Sequence, residues 1–432
     1  EIPLESVASY DDSGVTGHKS AWILEQGGYV FYAGADVRSA SEAYSLTLPE
    51  TVVRQCKSAL GPLTAFKRMV NSSGKPEFED VPLTGEAFPH DHAKLPAEIP
   101  QTGDRGIRLA DVVNGKNTLE EFTAQLTDYD LSCIIRGEGM GSPKVTAGTA
   151  AAFGGVSDTL TALGIPCACC DDGPSGMRLD CGTKAFSLPN GTLLASTFDR
   201  PLMTELFTFM GLEMHTNQVD CLLGPGMNIH RHPLNGRNFE YFSEDPYLTG
   251  EMASAELAGL HSTGAEGTIK HFCGNNRETR RHFLDSVISE RALREIYLRG
   301  FEKAVKKGGA KSVMTTYGQV NGVWTAGNYG LVTGILRDDW GFDGFTMTDW
   351  WANINRRGKA PDKSDFAAMA MAQNDVYMVT ADGAACNDNT LDSLKSGELT
   401  RGELQRNAMN ILRFLTTTHA MKRVMILMFL PS

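Results

Sequence analysis

The residues best suited to chemistry lie at the end of a short apolar stretch in the C-terminal third of the chain. Phe345–Met347 has the composition of a buried β-strand, and after one threonine it is followed by Asp349 and two indoles, Trp350 and Trp351. In β/α proteins, catalytic side chains collect at the C-terminal ends of strands. A carboxylate beside aromatic rings suits a sugar, because the apolar face of the ring packs on an aromatic while its hydroxyls need polar partners. The simpler alternative is an acidic helix cap, and the other strand ends must distinguish the two.

Polar and charged side chains also follow four other predicted strands. Asp172 and Arg178 follow the strand predicted at Ile165–Asp171, and Arg237 follows the one at Asp220–Gly224. Lys270 and His271 end the strand at Gly267–His271, and Met314 and Tyr317 lie towards the end of the strand at Ser312–Tyr317. If the strands form a barrel, their C-terminal ends face one mouth, so these side chains are expected to converge with Asp349 and Trp350. Carboxylates and charged donors can hold pairs of hydroxyls. The set therefore favours a polyhydroxylated ligand.

Histidines and cysteines raise the alternative of a metal site. His230 and His232 have a spacing found in some zinc sites, but a catalytic metal also needs a third histidine or a carboxylate held nearby. The nine cysteines show no disulfide-like regularity, and those at 167, 169 and 170 have no second pair at ligand spacing. We expect structural thiols in a reducing compartment, and neither a metal nor a cofactor.

Composition restricts the classes of partner. The chain has 432 residues, 41% of them hydrophobic, and a formal net charge of −12. The length suggests two or three domains, and the negative charge argues against nucleic acid and anionic membranes as partners. We therefore expect a neutral small molecule as substrate. The sequence begins at Glu1 and shows no signal peptide or membrane-spanning run, which predicts a cytoplasmic location unless a leader precedes it.

The N-terminal part has the pattern of β-structure. Residues 22–33 contain two apolar runs about a Gln-Gly-Gly turn, which predicts a hairpin, and the alternation of Tyr44, Leu46 and Leu48 predicts a further strand. A β-sandwich usually has seven strands, and this region has too few to close one. Residues 1–70 are therefore interpreted as the C-terminal part of a β-sandwich. Residues 71–117 are rich in Pro, Gly and acidic side chains, which is typical of a linker.

From residue 118 the pattern changes to alternating strands and helices. Thr118 and Glu121 form a capping-box pattern, and residues 289–307 have a helical apolar face that ends at Gly308. Seven strands are predicted: Leu131–Arg136, Ile165–Asp171, Asp220–Gly224, Gly267–His271, Ser312–Tyr317, Gly344–Asp349 and Val376–Val379. This alternation favours an α/β fold, a (β/α)8 TIM-like barrel over residues 118–420, followed by a tail over 421–432.

The strand-end motifs carry a resemblance to a known family. In order and spacing, four motifs resemble those of the catalytic barrel of family 3 glycoside hydrolases, in particular its β-glucosidases. They are Asp172-Gly-Pro-Ser-Gly, Gly-Arg237-Asn-Phe-Glu240, Lys270-His271 and Thr-Asp349-Trp350. The resemblance runs from about residue 118 to 415, and residues 1–70 resemble the end of the family's fibronectin type III-like domain. It implies hydrolysis of terminal non-reducing β-D-glucosyl residues, with a β-glucoside or oligosaccharide as substrate.

The resemblance also implies a role for each residue. Asp349 would be the nucleophile that forms a glycosyl-enzyme, with nearby Arg and Lys charge keeping its pKa low. Asp172 is preferred to the adjacent Asp171 by the Asp-Gly-Pro order. Among the substrate-binding positions, Asp172 would accept hydrogen bonds from the outer sugar hydroxyls, with Arg178 nearby, and the ring hydroxyls would be bound by Arg237, Lys270 and His271. Tyr317 would lie close to the nucleophile and help set its orientation, while Met314 and Trp350 would line the sugar subsite.

A retaining mechanism also needs a second carboxylate roughly 5 Å from the first, acting as general acid/base. Within the barrel the candidates are Glu138, Glu240, Glu244 and Glu278, of which Glu240 is better suited to hold Arg237. The family usually takes this Glu from an α/β-sandwich domain. We expect that domain to precede the present sequence in a permuted order and to be absent from it, which leaves Asp349 as half of a catalytic pair.

Several alternatives stay open from the sequence. The chain could be a non-catalytic carbohydrate-binding or incomplete subunit, with a complementing domain or a homo-oligomer as partner. Within the family, a β-xylosidase or an arabinofuranosidase would carry the same motifs. One departure is Gln373, where the family more often has glycine, and it places the local backbone in question.

Overall fold

The computed structural model describes residues 2–72, 74–83, 95–356 and 358–428. The chain divides into two compact units, one of Glu1–Ala87 with Val287–Glu295 and one of Phe88–Ser286 with Ile296–Ser432. No helix in the described ranges combines the length and apolar character needed to cross a membrane.

The first unit is built from short antiparallel strands. A 3-10 turn at Leu4–Val7 precedes β1 (Ser9–Asp11), β2 (Ala21–Leu24), β3 (Gly27–Ala33), β4 (Ser41–Leu48), β5 (Thr51–Gln55), β6 (Lys67–Ser72) and β7 (Lys75–Asp80). Strand β2 pairs with β1 and β5, β3 with β4, and β6 with β7. A small core of Tyr10, Trp22, Leu24 and Cys56 lies against the central sheet, and Tyr10 donates to Glu290 Oε1 at 3.1 Å. The Glu290–Ala292 helical turn thereby belongs to this unit.

One expectation for this part is corrected. The hairpin over residues 22–33 is wrong, because β2 and β3 lie in different sheets. The physical reason is burial: β2 is buried along its whole length and needs neighbours on both edges, whereas β3 is largely exposed. The strand around Tyr44 is confirmed as β4. The β6–β7 hairpin extends into the segment interpreted as linker, with Arg68 on β6 bound to Glu79 on β7.

The second unit is centred on a barrel-like sheet of eight strands within the described residues. Chain order gives β8 (Arg136–Gly139), β9 (Ala151–Gly154), β10 (Cys167–Asp171), β11 (Cys221–Leu222), β12 (Glu266–Phe272), β13 (Asp285–Ser286), β14 (Ser312–Thr315), β15 (Gln319–Val320), β16 (Val323–Trp324), β17 (Phe345–Met347) and β18 (Tyr377–Thr380). The sheet order is β17-β14-β12-β11-β10-β9-β8-β18, and β13, β15 and β16 form a separate small sheet. A bridge between Met347 and Val376 nearly closes the ring.

Helices connect these strands. They are α1 (Leu109–Val113), α2 (Leu119–Ala124), α3 (Asp128–Ile134), α4 (Asp158–Ala162), α5 (Gly191–Ala195), α6 (Arg200–Thr216), α7 (Pro246–Thr263), α8 (Arg299–Lys306), α9 (Phe366–Met371), α10 (Thr390–Ser396), α11 (Arg401–Leu415) and α12 (His419–Met428), with π-helical segments at Leu293–Tyr297 and Gly330–Asp339. The core includes Phe153 and Phe414, whose rings lie 4.9 and 4.5 Å from that of Phe345. The predicted TIM-like α/β class is therefore confirmed.

The barrel differs from an all-parallel one at a single strand. Strand β9 runs antiparallel to both neighbours, whereas the other seven strands of the ring run in one direction. Predicted strand Leu131–Arg136 is wrong, because Thr127 and Asp130 form a capping box that starts helix α3, and β8 begins only at Arg136. The helix predicted over 289–307 is interrupted by the π-helical segment. Helix α12 crosses the boundary at which the tail is predicted to begin.

Candidate active site

The carboxyl ends of the barrel strands surround a cavity of about 420 Å³. All nine residues singled out in the sequence line it, namely Asp172, Arg178, Arg237, Lys270, His271, Met314, Tyr317, Asp349 and Trp350. Several lie at or just beyond a strand: Asp172 follows β10, Lys270 and His271 lie in β12, Met314 lies in β14, and Asp349 follows β17. Arg178 and Arg237 come from the longer loops after β10 and β11. The expected convergence of these side chains is therefore observed.

Asp349 occupies a buried position within this cavity. Its Oδ1 accepts a hydrogen bond from the Trp350 backbone N–H at 2.8 Å, which fixes the plane of the carboxylate. Its Oδ2 is buried and has no hydrogen-bond partner among the described residues, and His271 Nε2 lies 3.7 Å away. One oxygen is thus held by the backbone while the other is free to approach an electrophile.

Burial, rather than the surrounding cations, decides the protonation of Asp349. Burial raises the pKa of Asp349 from 3.8 to about 6, although Arg237, Lys270 and the Trp350 N–H act in the opposite direction. The expectation that nearby Arg and Lys keep this pKa low is wrong in sign, because the cost of removing the carboxylate from water is larger. The group is still mostly ionised at neutral pH.

Asp172 and Lys270 form an ion pair at one side of the cavity. Lys270 Nζ donates to Asp172 Oδ1 at 2.8 Å, and the lysine is almost fully buried. Burial raises the pKa of Asp172, but Lys270, Arg237 and Arg178 together outweigh burial and hold that pKa below its usual value. The neighbouring Asp171 is buried away from the cavity, which agrees with the preference for Asp172 as the cavity-facing residue.

His271 is held by contacts on both its backbone and its ring. Its backbone exchanges two hydrogen bonds with the Asn228 side chain, at 2.9 and 3.0 Å, and Tyr241 Oη lies 3.0 Å from Nδ1. Burial, followed by Arg237, Lys270 and Arg281, lowers the pKa of His271 well below its ordinary value, so the ring is neutral. A neutral ring with Nε2 facing the cavity can donate or accept one hydrogen bond there.

Arg237 and Tyr317 lie close to Asp349. Arg237 donates from Nε to Glu240 Oε1, so the expectation that Glu240 holds Arg237 is confirmed. Tyr317 faces Asp349, and burial followed by the Asp349 charge raises the pKa of the phenol. Tyr317 and Met314 also belong to the barrel core, so each serves packing as well as the cavity wall.

Two residues that the sequence reasoning missed also line the cavity. Arg281 pairs with Glu278 at 2.8 Å, and its guanidinium lies 4.4 Å from the centre of the Tyr317 ring. Trp351 has a left-handed backbone, φ 55°, and an exposed indole. Arg281 lies in the loop after β12 and belongs to none of the strand-end motifs, so the sequence offered no signal for it. Trp351 was visible beside Asp349 but carried no separate signal.

The cavity offers few groups for general acid/base chemistry or metal binding. Among its lining residues in the described chain, Asp172 and Asp349 are the carboxylates. Three of the glutamates considered from the sequence are engaged elsewhere: Glu138 with Gly383, Glu240 with Arg237, and Glu278 with Arg281. Across the described ranges, no three His, Cys, Asp or Glu side chains gather in a way that could hold a metal ion.

Known proteins place this arrangement in a family. A relative named beta-glucosidase from Ruminococcus albus is 67% identical over 425 residues, covering 98% of this chain and 45% of the relative. A solved beta-glucosidase from Paenibacillus barengoltzii is 51% identical with a TM-score of 0.95, over 98% of this chain and 48% of that one. Beta-glucosidase 3B from Thermotoga neapolitana, solved with glucose, is 37% identical with a TM-score of 0.64, over 71% of this chain and 44% of that one.

These alignments have two consequences. The chain spans about half the length of the relatives that it matches. The model described as the glycosyl hydrolase family 3 N terminal domain matches residues 103–414, which contain every residue of the cavity. The chain therefore belongs to glycosyl hydrolase family 3.

Proposed function

We propose that this chain supplies the nucleophile and the sugar site of a retaining β-glucosidase acting on terminal non-reducing β-D-glucosyl residues. The observation that carries the proposal is Asp349, a buried carboxylate with one unpartnered oxygen in a cavity lined by cations and aromatic rings. The β-glucosidase names of the relatives support the sugar and its anomeric configuration.

In this proposal Asp349 attacks the anomeric carbon. A C–O bond forms to Asp349 Oδ2 as the bond to the aglycone oxygen breaks, and water later releases glucose from the glycosyl-enzyme. The carboxylate must be ionised to attack, and a pKa of about 6 leaves it so at neutral pH. Arg237 and Lys270 lower the cost of that charge.

The remaining side chains would bind the sugar ring. The Asp172–Lys270 pair presents an acceptor and a donor 2.8 Å apart, which matches two adjacent hydroxyls. Arg178, Arg237 and the neutral His271 add further hydrogen-bonding groups around the ring. Trp350 and Met314 provide apolar surface for its carbon face, while Tyr317 orients the nucleophile.

The general acid/base would come from another part of the full-length protein. Asp172 is unsuited to the role, because a general acid needs a raised pKa and that of Asp172 is lowered by Lys270. We propose a glutamate from a separate domain, and residues 1–70 as part of a fibronectin type III-like domain between it and the barrel. Without that glutamate, the barrel forms the glycosyl-enzyme efficiently only when the leaving group needs no protonation.

That property gives a direct test. A 2-deoxy-2-fluoro-β-glucoside with a dinitrophenolate leaving group needs no acid, so it should form a stable adduct with this chain alone. Peptide mapping should find the sugar on Asp349. Asp349→Asn should abolish labelling, whereas Asp343→Asn, which changes a carboxylate paired with Lys311 outside the cavity, should retain it. A sugar on any other residue would show that the nucleophile is misassigned.

The second candidate is a non-catalytic carbohydrate-binding subunit. Aryl β-glucoside hydrolysis by the full-length protein and by this chain separates the two functions, since failure of both to hydrolyse favours the binding role. An aryl β-xyloside and an aryl arabinofuranoside in the same assay test the sugar. Faster turnover of either would replace the glucosidase assignment while keeping the nucleophile.

A further inference from the structure

Two thiols lie side by side in the barrel unit, outside the sugar site. Cys133 is on helix α3 and Cys386 is in the loop after strand β18, and their Sγ atoms are 3.8 Å apart. Cys133 is buried and Cys386 is half-buried, so one sulfur can meet a small solute while the other is shielded. A disulfide needs the sulfurs to approach from 3.8 Å to about 2.05 Å, which is a movement of about 1.8 Å.

The surroundings of Cys386 favour a thiolate. Arg136 Nη1 lies 3.3 Å from its Sγ and Ser132 Oγ lies 3.1 Å away. The guanidinium is itself held in place by a buried ion pair with Asp388. The Cys133 thiol, despite the opposing effect of burial, lowers the pKa of Cys386 together with Ser132 and Arg136. A thiolate is the form of cysteine that attacks peroxides and disulfides.

Cys181 provides an internal comparison. It is the exposed cysteine of the described chain, and its Sγ lies 3.4 Å from the hydroxyl of Thr183. Within the described residues no second thiol contacts it. Exposure, together with a pKa that the Thr183 hydroxyl lowers, favours Cys181 as the site of oxidation, whereas the nearby second sulfur favours Cys386. The two cysteines are distinguishable by their products, because only Cys386 has a second sulfur in reach to form an intrachain disulfide.

We propose that Cys386 and Cys133 form a peroxide-oxidised dithiol that closes reversibly to a disulfide. The Cys386 thiolate attacks one peroxide oxygen, the O–O bond breaks, and the departing hydroxide takes a proton to become water. Cys133 then attacks the sulfur of the resulting sulfenic acid. The S–S bond forms, the S–O bond breaks, and the Cys133 proton leaves with hydroxide as a second water. Two thiols lose two electrons and the peroxide is reduced.

The experiment is to expose the reduced chain to a small excess of hydrogen peroxide under native conditions, block the remaining thiols, and map the peptides without reduction. The expected result is a Cys133–Cys386 cross-linked peptide that is lighter than its two parts by two hydrogens and is lost on treatment with dithiothreitol. Cys181→Ser should give the same cross-link. Cys133→Ser should instead accumulate sulfenic and then sulfinic acid on Cys386.

The opposing results are equally specific. Stable oxygen addition on Cys386 in the wild-type chain, with Cys133 still free, would show that the second sulfur does not resolve the first oxidation. Oxidation confined to Cys181 would show that exposure rather than the Arg136 site governs reactivity. Because both results are measured on the wild-type chain, neither depends on whether a variant folds.

Discussion

Replacing Asp349 by asparagine should stabilise the chain while it removes the proposed nucleophile. Asp349 has a pKa of about 6 in the folded chain against 3.8 as its ordinary value, a difference of about 2.2 units. At about 1.4 kcal/mol per unit, the buried carboxylate costs the folded chain about 3 kcal/mol at neutral pH. Asparagine has the same shape, keeps the acceptor for the Trp350 N–H, and carries no charge. The free energy of unfolding should therefore rise by up to about 3 kcal/mol at pH 7.

The sign of the pH dependence follows from the same shift. Because the folded pKa is raised, the folded state binds the proton more tightly than the unfolded state does. Asp349 costs the folded chain nothing well below pH 3.8, where both states are protonated. Its charge then destabilises the wild-type chain increasingly as pH rises from about 4 to about 6. The advantage of Asp349→Asn should accordingly be below about 1 kcal/mol at pH 4, grow through this window and stay level above it.

Urea unfolding followed by tryptophan fluorescence at pH 4, 5, 6 and 7 measures this difference. Asp343→Asn is the matched control, because Lys311 donates to that largely exposed carboxylate at 2.6 Å and holds its pKa low, so its removal should not stabilise. Activity on a dinitrophenyl glucoside should fall by at least ~10³-fold in Asp349→Asn alone. A variant no more stable than wild type at pH 7, or equally stabilised at pH 4 and 7, would refute the account of burial given above.

Three further outcomes follow from single positions. Burial and the charge of Asp172 raise the pKa of Asp171 to about 8, and this carboxyl has no hydrogen-bond partner among the described residues. Asp171→Asn should therefore stabilise the chain by at most ~4 kcal/mol at pH 7, measured by urea unfolding. The gain should develop between about pH 4 and 8. Gln373→Gly should raise the free energy of unfolding by about 0.5–1 kcal/mol, because φ is 62° there, whereas Gln373→Ala should give no gain. Lys270→Met should weaken glucose binding by ~10–100-fold in calorimetry, because a buried charged donor is lost, while Lys395→Met, on an exposed ion pair, should leave the affinity unchanged.

The candidate site was predictable because polar residues at the ends of apolar runs are conspicuous in sequence. The strands themselves were harder to predict where their composition is not typical of β-strands. Strand β9, Ala-Ala-Phe-Gly, contains no β-branched residue and was missed, although it completes the ring between β8 and β10. The apolar run at residues 131–135 was read as a strand because its burial on all sides hides the helical period. Periodicity fails for elements that the core surrounds.

Residue types alone could not predict the balance between burial and neighbouring charge at Asp349. The neighbours of Asp349 were named correctly from sequence, yet the direction of its pKa shift was not, because the shift depends on how much water the fold removes. Gln373 shows the opposite case. A departure from a glycine pattern pointed to an unusual backbone, and the structure has φ 62° at that residue.

The charges around Asp349 are also partly committed to other carboxylates, and this explains why burial prevails. Lys270 donates directly to Asp172 at 2.8 Å, and Arg237 donates to Glu240, so each cation acts on Asp349 as one half of a nearly neutral pair. A bound sugar would exclude more water and raise the cost of the Asp349 charge further. If its hydroxyls draw Asp172 into new hydrogen bonds, the Lys270 charge becomes less neutralised and supports Asp349 more strongly. Sugar recognition and the ionisation of Asp349 would then be coupled through one ion pair, which opposes the added cost of excluding water.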